Sequence, residues 1–149
     1  MALIMGEGRV SSARLQVPAA PSSLRLARLT ASSLAADLDW SLDDIEDLRI
    51  AVDELTALLI DGAGEATLEL DFAHDGRSLV VAGACACPAP LGALDPLALE
   101  LLGLTTDRYA VESTDGHRRF EIEKGPTAEG APIDESDENG AAPRSPDDA

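Results

Sequence analysis

Eight carboxylates fall within eighteen consecutive residues of this chain: Asp37, Asp39, Asp43, Asp44, Glu46, Asp47, Asp53 and Glu54, with Arg49 the only base among them. Most of such a run reads as a solvated acidic surface, and Glu46 and Asp47 fall on outward faces of the helix that carries them. Asp53 and Glu54 stand apart, because they follow Val52 and precede an almost wholly apolar turn. A carboxylate against apolar walls can have its pKa raised and act as a general base. A second candidate has the opposite sign. Arg25 and Arg28 lie one helical turn apart and make a small basic spot on a very acidic chain. Arginine suits bidentate capture of a partner's carboxylate; the plainer reading is two solvated arginines that serve solubility. Cys85-x-Cys87 puts two thiols on one face of a strand, but two ligands without a clustered His do not make a zinc site. No metal is expected there, and buried free thiols are the better reading. His74 and His117 each flank a turn signal, with no Ser or Cys near them in sequence to complete a triad.

The elements that position these residues follow from periodicity. Ala13, Leu15 and Val17 alternate with Arg14 and Gln16 as a half-buried strand, which Pro18 and Pro21 end. Leu24, Ala27, Ala31, Leu34 and Leu38 recur at three- and four-residue steps, so residues 22–38 form an amphipathic helix with Arg25 and Arg28 beside its apolar stripe. Trp40 falls in the break after it and reads as a hydrophobic plug. Ser41 caps a second helix, with Asp43 and Asp44 in its first turn where the helix dipole favours negative charge. Leu42, Ile45, Leu48, Val52, Leu55 and Leu59 give that helix its stripe, to about Ile60, and Gly62 stops it. Ala66 to Phe72 alternate strictly, Asp75-Gly76 signals a hairpin, and Leu79 to Cys85 read as a more deeply buried strand. A short helix over Pro96 to Leu104 follows. Tyr109 and Val111 then face Phe120 and Ile122 across Asp115-Gly116. The order β-α-α-β-β-α-β-β predicts a two-layer α/β sandwich: a mixed, mainly antiparallel sheet of about five strands with three helices on one face.

Composition narrows the class of function. The chain of 149 residues is long enough for one domain with a sizeable core. Eleven basic against 28 acidic residues give a net charge of −17, which disfavours direct binding to nucleic acid or to an anionic membrane surface. No run is long and apolar enough to span a bilayer, and the N-terminal residues lack the pattern of a signal peptide. With two cysteines only, this points to a reducing, cytoplasmic setting. The charge is unevenly placed. Gly125 to Ala149 carries seven acids, one Arg, four prolines and no aromatic residue, and is expected to be a disordered acidic tail. Residues 1–124 keep 21 acids and 10 bases; of these, residues 1–11 are expected to be loose, which leaves 12–124 as the folded body.

The run Ala51-Val52-Asp53-Glu54-Leu55-Thr56-Ala57-Leu58 resembles the nucleotide-binding helix of the anti-sigma factor serine-protein kinases, which have the GHKL-type, histidine-kinase-like ATPase fold. The resemblance runs back without a gap through Leu38-Asp39 and Arg28 to the first strand, about fifty residues, and the later element order fits as well. It implies a catalytic base at Glu54. It places the family's magnesium-binding Asn at Leu58, and leucine offers no oxygen to a hard cation. The family's Asp-x-Gly-x-Gly loop is replaced by Gly83-Ala84-Cys85-Ala86-Cys87-Pro88-Ala89-Pro90, with no acid until Asp95, and the Gly-x-Gly-x-Gly lid is missing. Leu94 to Leu102 is similar only to the helix after that loop. The family's partner-contacting arginine falls on Arg28.

The resemblance thus implies a degenerate member of the family: an anti-sigma factor that sequesters an alternative sigma factor, is relieved by an anti-anti-sigma factor, and forms a homodimer. Arg28 and Arg25 would contact partners, and no cofactor is expected. The alternative is an active serine kinase that uses ATP and Mg²⁺, with Glu54 as base, to phosphorylate its antagonist. A third reading is reuse of the fold as an acidic scaffold.

Overall fold

A computed structural model describes residues 8–128. Strand β1 (Val10–Pro18) and a single 3₁₀ turn at Pro21–Ser23 lead into helix α1 (Leu24–Asp37) and helix α2 (Leu42–Ile60). Strands β2 (Thr67–His74) and β3 (Leu79–Ala86), helix α3 (Pro96–Thr105) and strands β4 (Arg108–Thr114) and β5 (His117–Lys124) complete the order. The five strands form one sheet in the order β1-β2-β3-β5-β4, and every pairing is antiparallel, so the sheet is not mixed. Helix α2 packs on β3 and β5 and lies between α1 and α3. This is the expected α/β sandwich.

The boundaries differ from expectation at both ends. Val10 and Ser11, expected to be loose, already pair with His74 and Ala73. At the other end the Gly125 N–H donates to Asp107 (2.8 Å) and the Thr127 N–H to Asp44 (3.1 Å), so the chain stays bonded to the body past Lys124. The rest of the expected tail, 129–149, and residues 1–7 lie outside the described residues.

The core forms where the two periodicities meet. On α1 the stripe buries Ala27, Ala31 and Ala35 completely, and small side chains there let α2 approach closely. On α2 it buries Leu48, Val52, Leu55 and Leu59. Leu42 breaks the expectation: it is the first helical residue, before the stripe turns inward, and is 83% exposed. The inward sides of the strands supply Leu68, Leu70, Phe72, Leu79, Val81, Phe120 and Ile122. Between β3 and β5 the Phe120 ring fills the space a side chain at Gly83 would need: a Cβ built there would meet the ring's Cζ at 2.8 Å. Trp40 is the expected plug, buried, with its indole N–H donating to the Arg77 carbonyl (2.9 Å).

Candidate functional site

Helix α2 is held from both ends by one strand. Along β5 the apolar residues Phe120 and Ile122 point inward, so strand alternation also sends Arg118 and Lys124 inward, one at each end. Both are almost completely buried. The Lys124 ammonium lies 3.7 Å from Asp44 and 3.9 Å from Asp47, at the start of α2. Asp44 also accepts the Ser41 hydroxyl (3.0 Å), while the Ser41 oxygen takes the Asp44 N–H as the expected N-cap. Asp44 is therefore a buried structural anion and not part of a solvated acidic face. At the far end Arg118 donates to the carbonyls of Leu59 (2.9 Å) and Asp61 (2.7 Å), the last turn of α2, where the helix dipole favours a cation. Its Nε reaches the Ala89 carbonyl (3.2 Å), which ties the β3–α3 connection to the helix.

That tie shapes a cleft of about 620 Å³ between the end of α2, the start of α1 and the start of α3. Glu54 and Leu58 both line it, together with Leu24, Ala57, Asp61, Leu94, Asp95 and Ala98. The cleft thus brings together the two positions to which the family resemblance assigns the catalytic base and the magnesium ligand. Among the described residues, three carboxylates and no basic residue line it. It faces the carbonyl end of α2, whose negative partial charge the Arg118 guanidinium offsets. The start of α3, the end of a helix that would welcome an anion, is already capped: Asp95 accepts the Ala98 N–H (2.8 Å). A second concavity, about 550 Å³ over Ala82 and Ala84 on the other face of the sheet, contains none of the predicted site residues.

The basic spot lies next to this cleft. Leu24 lines the cleft, and Arg28, one turn further along α1, sits against α2 with its Nε 3.1 Å from Asp53. The two atoms are out of line for a hydrogen bond, so this is an ion pair held by proximity. Burial pushes the Asp53 carboxyl above its ordinary range, and the Arg28 charge pulls it back in part. Asp53 and Glu54, adjacent in sequence, therefore serve different surfaces: one faces Arg28, the other the cleft. Arg25 is exposed and forms no ion pair among the described residues. Among the described residues no cluster of three or more His, Cys, Asp or Glu suits a metal ion. Cys85 and Cys87 are buried and free, and burial raises the Cys85 thiol pKa. His74 and His117 stay at their turns, where His74 accepts the Gly76 N–H (3.0 Å). No helix among the described residues is long and apolar enough to cross a membrane.

Sequence reasoning missed the Arg118 and Lys124 clamps. The signal was present: if Phe120 and Ile122 face the core, period-two alternation puts 118 and 124 there too.

No protein-family profile matches the chain. Among similar curated proteins, the serine-protein kinase RsbW of Bacillus licheniformis is 35% identical over 74 residues, and that of Bacillus velezensis is 32% identical over 74 residues. Each match covers 46% of this chain and 46% of the relative, so the chain spans about half the length of the curated relatives it matches. A crystal structure of the RsbU and RsbW domains of a Mycobacterium tuberculosis protein has the same fold, with a TM-score of 0.57 at 13% identity over 76% of this chain and 32% of that one. The resemblance read from the second helix therefore has named relatives behind it: over 74 residues the chain is similar to the RsbW serine-protein kinases.

Proposed function

We propose that the chain is a non-catalytic anti-sigma factor: it binds and sequesters an alternative sigma factor in the cytoplasm and releases it when an anti-anti-sigma factor competes. The observation that carries this reading is the chemistry of the cleft beside Arg28. Leucine stands at the position expected to ligate Mg²⁺, three carboxylates line the cleft, and among the described residues no basic side chain lines it. That set does not fit magnesium nucleotide, so no phosphoryl transfer is derived through it. What the chain retains is a surface for protein. Arg28 is half-exposed, and an incoming carboxylate can exchange with Asp53 for its guanidinium. Leu26 and Leu29 are exposed on the outward side of α1, roughly 160° and 100° around the helix from Arg28, and add apolar surface beside Arg25 that an interface core can use. The same apolar face, with the exposed edge of β1, supports a homodimer. An acidic body also favours encounter with a basic, DNA-binding client.

The test is co-purification from the native host, with the wild-type chain and with Arg28→Ala as bait. Recovery of an alternative sigma factor by the wild type and its loss with Arg28→Ala is expected; recovery of no sigma factor refutes the proposal. One observation favours the kinase reading: Glu54 does line the cleft. Calorimetric titration with Mg-ATP decides between them, since saturable micromolar binding supports the kinase.

A further inference from the structure

The cleft at the end of α2 is apolar on its floor and acidic at its rim. Leu24, Ala57, Leu58, Leu94 and Ala98 supply apolar wall. Glu54 and Asp61 carry carboxylates with no ion-pair partner among the described residues. Two of the walls are tied to each other, because Arg118 bonds at once to the last turn of α2 and to the connection that leads to Leu94. A preformed apolar cleft spends little on ordering when it is filled.

We propose that this cleft takes an apolar side chain flanked by lysine or arginine, presented by a segment of a protein partner, in the place where the fold family holds a nucleotide. The inference rests on the reading of the chain as a non-catalytic binder. The occupant's chemistry follows from complementarity. The apolar lining is roomy enough for a leucine- or isoleucine-sized group, and the carboxylates of Glu54 and Asp61 in the same lining suit basic residues on either side of it in an extended or helical segment. A nucleotide meets the opposite conditions, with its phosphates against the carboxylates of Glu54 and Asp61. The cleft is also continuous with Arg28 through Leu24 on α1, so one partner can engage both.

The probes are three capped tetrapeptides, Lys-Leu-Leu-Arg, Lys-Ser-Ser-Arg and Glu-Leu-Leu-Glu, and Mg-ATP, each titrated into the full-length chain and followed by amide NMR. The expected result is binding of Lys-Leu-Leu-Arg about tenfold tighter than either other peptide, with shift changes centred on Ala57, Leu58, Leu94 and Ala98. Filling the cleft with Ala57→Trp, at an exposed position, should weaken that peptide about tenfold. The pair Glu54→Gln and Asp61→Asn, which alters no packing, should weaken it several-fold and flatten its salt dependence. Equal binding of the serine peptide or of the acidic peptide overturns the proposal, as does displacement by Mg-ATP at the same amides. So does undiminished binding by both sets of variants. If Ala57→Trp still captures a sigma factor that Arg28→Ala has lost, the cleft proposal falls while the anti-sigma reading stands.

Discussion

Replacing Arg118 by methionine keeps the volume of the side chain and removes its charge, so it isolates what the clamp contributes. Four carbonyls lie around the guanidinium: Leu59 at 2.9 Å, Asp61 at 2.7 Å, Ala89 at 3.2 Å and Pro90 at 3.5 Å. Only the first two are short and well aimed, and each hydrogen bond from a charged donor is worth about 1.5–3 kcal/mol. The sum, about 3–6 kcal/mol, must be reduced for the burial of a cation with no carboxylate partner, a cost that methionine does not carry. The net expected loss is about 2–3 kcal/mol. Urea unfolding followed by circular dichroism measures it. A slope of about 1–1.5 kcal/mol per molar, suited to a body of this size, turns that loss into a midpoint lower by about 2 M. Amide exchange gives the local signature: Asp61 and Ala63, bonded to the carbonyls of Ala57 and Ile60, should lose more protection than the centre of α2. Arg118→Lys restores the charge but cannot reach both walls, so it should recover only part of the midpoint. A midpoint within about 0.3 M of wild type for Arg118→Met would refute the reasoning, since the guanidinium would then be a tolerated burial and not a clamp.

Other expectations follow from the same packing. Gly83→Ala forces a methyl into the Phe120 ring, which is completely buried and cannot swing aside, and should cost about 1–3 kcal/mol in a thermal melt. Lys124→Met strands Asp44 without its cation and should cost about 3–5 kcal/mol; adding Asp44→Asn should recover most of that loss, and additive losses would show that the two are not coupled. Asp75 accepts the N–H groups of Arg77 (2.9 Å) and Ser78 (2.8 Å), which hold its carboxyl below the ordinary value of 3.8. Its folded pKa is depressed, so its contribution is present above that ordinary value and is lost as pH falls through the folded value. The stability gap between wild type and Asp75→Ala, read from urea midpoints, should therefore shrink in that acid range and stay constant above it.

How far the sequence went depends on what kind of information each residue carried. Ser41, Trp40 and the strict alternation of 66–72 declare local geometry, and the cap, the plug and strand β2 followed from them. The pairing of Tyr109 with Ile122 and of Val111 with Phe120 also followed, because the Asp115-Gly116 turn fixes the register of that hairpin. The cleft was only half legible. Glu54 and Leu58 are neighbours on one helix and were singled out together, but Leu24 and Asp95 join them from elements distant in sequence. Asp44 was misread as surface for the same reason: nothing near it announces that Lys124, eighty residues later, arrives to pair with it. Charge patterns in sequence record composition; which charges are buried is decided by tertiary contacts.

The acid run on α2 is thus not one feature. Helix geometry divides it among neighbours with different needs. Asp44 and Asp47 face Lys124 and fasten the start of the helix to β5, Asp53 faces Arg28 on α1, and Glu54 faces the cleft. The division matters because Lys124 and Arg118 hold the two ends of the helix and Leu48, Val52 and Leu55 anchor its inner face, which leaves Asp53 and Glu54 on its outer faces for other partners. A helix pinned at both ends holds the side chains between the pins in fixed positions, which is what a catalytic helix needs and what a binding surface can keep after catalysis is lost. Leucine at position 58 does not loosen that scaffold, since Leu58 packs against the core as a partly buried apolar residue. On the proposed reading the fold outlives its reaction, and Arg28 and the cleft are set side by side on one frame, offered to a partner that carries the complementary charges.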